Sequence, residues 1–254
     1  MLKKRLITAI IVKNDIAVQS FSYSKYLPLG SPLIFVENYN RWNVDEILIQ
    51  SIDRSRLGLG PDFKLLNRIS SKTINTPLIY GGGIRTLNDA RNIIKIGADR
   101  IIIGDLLLKK PHLVKRIAEV LGEQAIILSL PILHINKTLY IYDYINNQKI
   151  ELQNFILKNN LNNSCFEFMF SDVKNDGVRG KFDLNIIKKN LVNNIIVFGG
   201  INPDKDLDKI YKFRNVSGIC IGNSFSYSEH SYQKSVIKMK HNYLRSEIYK
   251  SKWK

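Results

Sequence analysis

Two glycine pairs carry the first chemical signal in the chain. Gly82 and Gly83 follow the strand-like run PLIY at 77–80, and Gly199 and Gly200 follow IIVF at 195–198. A single glycine comes downstream of each pair: Gly104 in IIIGD, and Gly222 in ICIGN, the latter followed by Asn223. A glycine at the carboxyl end of a strand, just before a helix, lets peptide N–H groups approach an anion closely. The helix start adds favourable partial charge. These types at this spacing point to phosphate binding. One pair alone could be a tight turn, but the duplicated set suits an elongated ligand with phosphate at both ends.

Such glycines work together only if strands deliver them to one surface. Short β-rich runs lie at about 5–12, 46–51, 77–80, 100–103, 124–130, 165–171, 194–198 and 217–221. Amphipathic helical patterns lie between them, at about 32–42, 62–72, 86–96, 110–121, 151–160, 183–191, 203–213 and 229–246. In TLNDARNIIKIG, for example, Leu87, Ala90, Ile93 and Ile94 share one helical face that Gly97 closes. Eight strands alternating with eight helices predict an α/β fold, a (β/α)8 TIM barrel, with a doubly wound sheet as the alternative. In such barrels phosphate binds after strands seven and eight, where Gly199, Gly200, Gly222 and Asn223 fall. Glu46 pairs with Glu167 and Asp62 with Asp183 at nearly the separation that relates the glycines, so the barrel reads as two tandem half-barrels. The segment 131–150 alternates with period two around a polar turn and reads as a hairpin insertion after strand five. A single domain is expected over 1–246, with a basic tail at 247–254.

The net charge of +16 raises the question of a polyanion partner. Lys and Arg are scattered rather than gathered in one arm, which reads as solvated surface charge rather than a nucleic-acid footprint. Cys165 and Cys220 each sit in an apolar, strand-like run and form no disulfide framework, so a cytoplasmic chain is expected. His112, His134, His230 and His241 lack metal-ligand spacing, and neither metal nor cofactor is expected. The opening MLKKRLITAIIVKND imitates a signal peptide, but its apolar run is short and ends at Lys13, so it reads as the first strand. No segment approaches the length of a membrane span.

Arg5 with AIIVK, SPLIFVENYNRWNVDE, PLIYGGGI, GADR and NDGVRGKFD resemble the HisF family, the cyclase subunit of imidazole glycerol phosphate synthase. The resemblance runs from Met1 to about Phe225. It implies a barrel that binds a doubly phosphorylated ribonucleotide at its top face. It also implies ammonia delivered through the barrel from a HisH-like glutaminase docked beneath. Arg5, Glu46, Arg100 and Glu167 match the charged ring of the family's ammonia entrance, with Arg100 in place of a lysine, and Asp99 resembles a residue that faces the glutaminase. Asp176 and Gly177 resemble residues that border the ligand, and Lys13 and Ser51 fall beside it.

The departures concern catalysis. Ring closure needs a positioned acid and base, and the two aspartates that the family uses are replaced by Ile11 and Pro131. Ser51 replaces a third aspartate, and Gln19 a lysine. The resemblance thus extends to HisF-like proteins of surface-polysaccharide pathways, in which ammonia serves an N-acetyl sugar amidotransferase instead of a cyclase. A working cyclase using other residues is the alternative, and a phosphate- or nucleic-acid-binding barrel without enzymatic partners is a third reading.

Overall fold

The computed structural model describes residues 4–189, 192–227 and 230–239. Twelve strands follow in chain order: β1 (Arg5–Lys13), β2 (Ile16–Phe21), β3 (Lys25–Gly30), β4 (Glu46–Ser51), β5 (Leu78–Gly81), β6 (Arg100–Ile103), β7 (Ile126–Ile135), β8 (Thr138–Asp143), β9 (Gln148–Glu151), β10 (Glu167–Asp172), β11 (Ile195–Phe198) and β12 (Val216–Ile221). Eight of them, β1, β4, β5, β6, β7, β10, β11 and β12, pair in parallel, and β10 closes on β7 to make a barrel. The fold is a (β/α)8 TIM barrel. Its strands read as near-continuous Ile, Leu and Val because both faces are buried, one inside the barrel and one under the helices.

Period-two alternation sorts those faces. Ile7, Ala9, Ile11, Leu48, Ile79, Ile102, Ile127, Met169, Ile196 and Cys220 point inward and form one packed cluster. Their neighbours on the same strands pack outward against helices, as Ala90 and Ile93 of helix Leu87–Ile96 do from the other side. Thr86 and Asp89 form a capping box at the start of that helix, and Gly97 ends it at a φ of 130°. Prolines 32 and 111 open helices Pro32–Arg41 and Pro111–Leu121, where a missing N–H costs nothing.

The helical patterns at 183–191 and 203–213 give only Asn185–Lys188 and Leu207–Tyr211 among the described residues. Side-chain hydrogen bonds to backbone N–H groups lie at the start of each pattern. Asp183 accepts from the Asn185 N–H at 2.9 Å, and Asp206 from the Asn202 N–H at 2.9 Å. Cys165 also departs from expectation. It lies exposed ahead of β10, and its N–H donates to Glu123, whereas Cys220 is buried. The tail at 247–254 and the outer ends of the patterns at 183–191 and 229–246 lie outside the described residues.

Two excursions rise from the carboxyl ends of the barrel strands. After β1, the hairpin β2–β3 lies in a stretch to which the periodicity assigns no element. Asn14 and Asp15 fold β2 back antiparallel on the end of β1 with φ values of 50° and 61°, the geometry of a two-residue hairpin loop. After the fifth barrel strand, β7 runs on to Ile135, turns at Asn136–Lys137, and pairs antiparallel with β8, which pairs with β9. No helix among the described residues is long and apolar enough to cross a membrane.

Candidate functional site

The carboxyl ends of the strands surround a cavity of about 370 Å³. Its floor is apolar: Ile11 from β1, Leu48 from β4, Ile102 from β6, Pro131 from β7, Met169 from β10 and Phe198 from β11. Gln50, Ser129 and Ser171 add polar groups to the same lining, as do the backbones of Gly82, Gly83 and Gly104. Tyrosines make the roof, Tyr23 and Tyr26 from the β2–β3 hairpin and Tyr142 and Tyr144 from the β8 excursion. The two hairpins touch, with the Tyr23 and Tyr144 rings edge to face at 6.5 Å. Lys13 sits 4.2 Å from the Tyr26 ring centre and Arg56 lies 5.9 Å from that of Tyr144. Neither cation forms an ion pair among the described residues. Of the carboxylates at the rim, Asp53 accepts from the Asn14 N–H at 2.8 Å and Asp105 pairs with Lys109 at 2.9 Å.

The glycines fall into two classes. Gly82 has a φ of 120°, and a Cβ there would lie 2.2 Å from the Ser51 carbonyl oxygen. Gly200 has a φ of 68°, and its Cβ would lie 2.7 Å from the Asn175 carbonyl oxygen. Gly83 and Gly199 are confined in the same way. Their turns require glycine with or without a ligand. Gly104 and Gly222 differ, since the nearest atom to a Cβ at either would be 3.5 Å away, an ordinary contact, and neither is left-handed. The fold makes no demand for glycine at these two positions. Helix geometry contributes little here, because Asp105–Lys109 and Asn223–Tyr227 are single turns and Leu87–Ile96 is already capped by its own Thr86 and Asp89.

A second, much smaller recess of about 30 Å³ lies on the other side of the mouth, lined by Asp176, Gly177, Gly199, Gly200, Gly222 and Asn223 among others. Phe198 lines both spaces. Strand β2 runs between them and is pinned at several points. The Asn223 carboxamide accepts from the Ser20 N–H at 3.2 Å and donates to the Ser20 carbonyl at 2.8 Å. The Ser20 hydroxyl donates to the Asp176 carboxylate at 2.6 Å, and the Ser22 N–H to the Asp176 carbonyl at 3.0 Å. Phe21 covers Gly177 so closely that a Cβ there would sit 2.5 Å from the ring. Burial pushes the Asp176 carboxyl up to about 6, against the hydrogen bonds from Ser20 and Tyr23 that favour its ionised form.

At the opposite end, four charges close a ring beneath the apolar interior. Arg5 reaches Glu46 at 3.1 Å and also bonds Glu167; Arg100 reaches Glu167 at 2.7 Å and Glu46 at 3.7 Å. Ser217 adds a hydroxyl donor to Glu167. Burial works to raise the Glu167 carboxyl, but Arg5, Arg100 and Ser217 outweigh it and hold the group below its ordinary value. Alternating signs leave every buried charge with opposite partners, the condition under which such a ring is tolerated. Asp99 lies exposed beside it, and its carboxylate accepts from the Leu78 N–H at 2.7 Å.

A sequence profile of the family described as histidine biosynthesis protein matches residues 5–231. The chain belongs to this family, in its HisF-like branch. A Vibrio vulnificus protein provisionally named imidazole glycerol phosphate synthase subunit hisF2 is 30% identical over 91% of this chain and 86% of its own length. A Leptospira interrogans protein provisionally named as the HisF subunit is 28% identical over 89% of this chain and 91% of its own. The imidazole glycerol phosphate synthase subunit HisF of Flavobacterium psychrophilum is 25% identical over 98% of this chain and 100% of its own.

Within this HisF-like barrel the residues singled out by sequence are brought together unevenly. Glu46 and Glu167 begin the second and sixth barrel strands, and Gly82 and Gly199 follow the third and seventh, as the half-barrel repeat requires. Lys13, Ile11 and Pro131 line the large cavity, and Asp176 and Gly177 the small recess. Ser51 does not line either. The inward set of β4 is Glu46, Leu48 and Gln50, so Ser51 is buried beneath Gly82 and its neighbour Gln50 faces the cavity. Gln19 pairs with Leu27 inside the hairpin, away from the cavity. Arg56 and the four roof tyrosines went unread. Alternation marks TLYIYD as part of the hairpin expected at 131–150 and is present in IAVQSF as well, but nothing local says that the two hairpins meet.

Proposed function

We propose that this HisF-like barrel receives ammonia from a HisH-like glutaminase and presents it to a phosphorylated acceptor at its top face, without closing an imidazole ring. One contrast carries the reading. The charged ring at the bottom is complete, while the floor of the cavity is apolar at Ile11 and Pro131, the two positions where ring closure would need its acid and base. Ammonia is neutral and small, so an apolar interior above the ring of paired charges admits it more readily than ammonium or other ions. Gly82, Gly83 and Gly104 on one side, and Gly199, Gly200, Gly222 and Asn223 on the other, are the phosphate-binding candidates. Gly104 and Gly222 support this most, since packing does not explain them. A role beside an N-acetyl sugar amidotransferase in cytoplasmic steps of surface-polysaccharide synthesis fits an acceptor other than the cyclase substrate.

An active cyclase in histidine biosynthesis is the second reading, favoured by the Flavobacterium relative that spans nearly the whole chain. Its acid and base would then have to come from Asp53 and Asp105 at the cavity rim. Direct assay separates the two. With the family's nucleotide substrate and saturating ammonium salt, no imidazole product should form. Loss of one positioned acid or base costs about 10²–10⁴-fold, and two are absent here. Restoring Ile11→Asp alone should leave the barrel inactive. Turnover comparable to a histidine-pathway HisF would defeat the proposal. If turnover is absent, a HisH-like glutaminase should still co-purify with the barrel, and Asp99→Lys should weaken that association while leaving the thermal midpoint within a few degrees. A barrel that binds no such glutaminase would remove the ammonia reading.

A further inference from the structure

We infer that the ligand of this barrel is a ring-bearing phosphomonoester held wholly in the large cavity, and not a bisphosphate stretched across the mouth. This rests on the phosphate reading above and narrows it.

The mouth is divided. A ligand with phosphates at both ends would have to pass from the Gly104 side to the Gly222 side, and strand β2 lies across that path. Ser20, near its carboxyl end, is clasped by the Asn223 carboxamide through both backbone groups and by Asp176 through its hydroxyl, and Tyr23 at the hairpin tip rests against Tyr144 on the far side. The clasp also occupies the Asn223 carboxamide, and Arg179, the cation that lines the small recess, is already paired with Asp204. At about 30 Å³ the recess has room for about one water, whereas the cavity at about 370 Å³ is within the range of small-ligand sites.

The cavity supplies what one charged end and one ring need. Lys13 and Arg56 both line it without a carboxylate partner among the described residues, Lys13 over the Tyr26 ring and Arg56 near the Tyr144 ring and donating to the Tyr144 carbonyl at 3.3 Å, so a single anionic group in the cavity would meet two cations outside any ion pair. The tyrosine faces offer flat apolar platforms to a sugar or heterocycle, and Gln50 adds a carboxamide to the lining. The amino and carboxyl halves of the barrel repeat each other in sequence, yet they are no longer equivalent as binding sites.

A matched pair of furanose probes tests this: ribose 5-phosphate and ribose 1,5-bisphosphate, followed by calorimetry and by backbone amide shifts. Both should bind the native chain with affinities within about twofold, because the second phosphate gains no contact. Shifts should cluster at Gly82, Gly83 and Gly104 and spare Gly222 and Ser224. Asn223→Ala keeps the backbone N–H of the recess but removes the clasp. It should make the bisphosphate bind about tenfold more tightly than the monophosphate and bring shifts to Gly222. A native chain that already prefers the bisphosphate by about tenfold, with shifts on both sides, overturns the inference and leaves the phosphate reading intact. An Asn223→Ala chain with an unchanged ratio also overturns it, since the hairpin would not be the barrier. If neither probe moves any of these amides, the phosphate reading itself fails and takes this inference with it.

Discussion

Replacing Glu167 by Gln tests the ring at the bottom of the barrel, because it removes one charge and keeps the shape. In the native ring Glu167 faces Arg5 and Arg100 together and accepts from Ser217, with its side chain 9% exposed. The variant leaves two buried guanidinium groups sharing Glu46 alone, at 3.1 and 3.7 Å. Removing one partner of a buried pair costs about 3–5 kcal/mol. Glu46 still compensates in part, so the lower end is expected, about 3 kcal/mol, or a midpoint lowered by about 6–12 °C for a chain of this length. The measurement is urea unfolding followed by circular dichroism. Two controls isolate the charge effect. Arg100→Lys keeps both signs and should cost less than about 1.5 kcal/mol. Arg100→Met with Glu167→Leu removes a whole pair, leaves Arg5 with Glu46, and should return to within about 1 kcal/mol of the native chain.

The pH dependence follows from the same geometry. The folded Glu167 carboxyl lies below its ordinary value of 4.5, so its contribution is fully present above about pH 4.5 and is lost as pH falls through the folded value. The gap between native and Glu167→Gln chains should therefore narrow below pH 4.5 and be constant from pH 6 to 8. A cost under about 1 kcal/mol at pH 7, or a double variant as unstable as the single one, would refute the view that paired burial holds this ring together.

Asp176 has the opposite sign: its folded carboxyl is raised from 3.8 to about 6, so native stability falls as pH rises through that window. Asp176→Asn should remove this dependence, match the native chain at pH 4 and exceed it at pH 8 in thermal melts; equal stability at both would contradict it. Gly82→Ala should destabilise by several kcal/mol, roughly the 3 kcal/mol or more expected when a left-handed turn and a backbone clash coincide, read as loss of soluble folded protein. Gly104→Ala should unfold within about 1 kcal/mol of the native chain yet weaken phosphate binding about tenfold, read by calorimetry.

Much of this molecule is local, and to that extent sequence is enough. Eight apolar β-rich runs separated by amphipathic periods determine the elements and the α/β class, because each element carries its own burial pattern within a few residues, while the pairing of β10 with β7 decides a closed barrel over an open sheet. The half-barrel repeat likewise places Glu46 with Glu167 and Gly82 with Gly199 on equivalent strands. Strand parity was legible too, yet one residue of register decides between Ser51 and Gln50 at the cavity, and only pairing with β1 and β5 sets it. Glycine looks the same in sequence whether a turn demands it, as at Gly82, or nothing in the fold does, as at Gly104; the atoms a Cβ would meet distinguish them, and those come from other strands. The division of the mouth is the most distant from sequence. Ser20 and Asn223 are 203 positions apart, and Tyr23 meets Tyr144 from a different hairpin, so the wall between the two sites exists only once the barrel has closed and brought both loops to the same end.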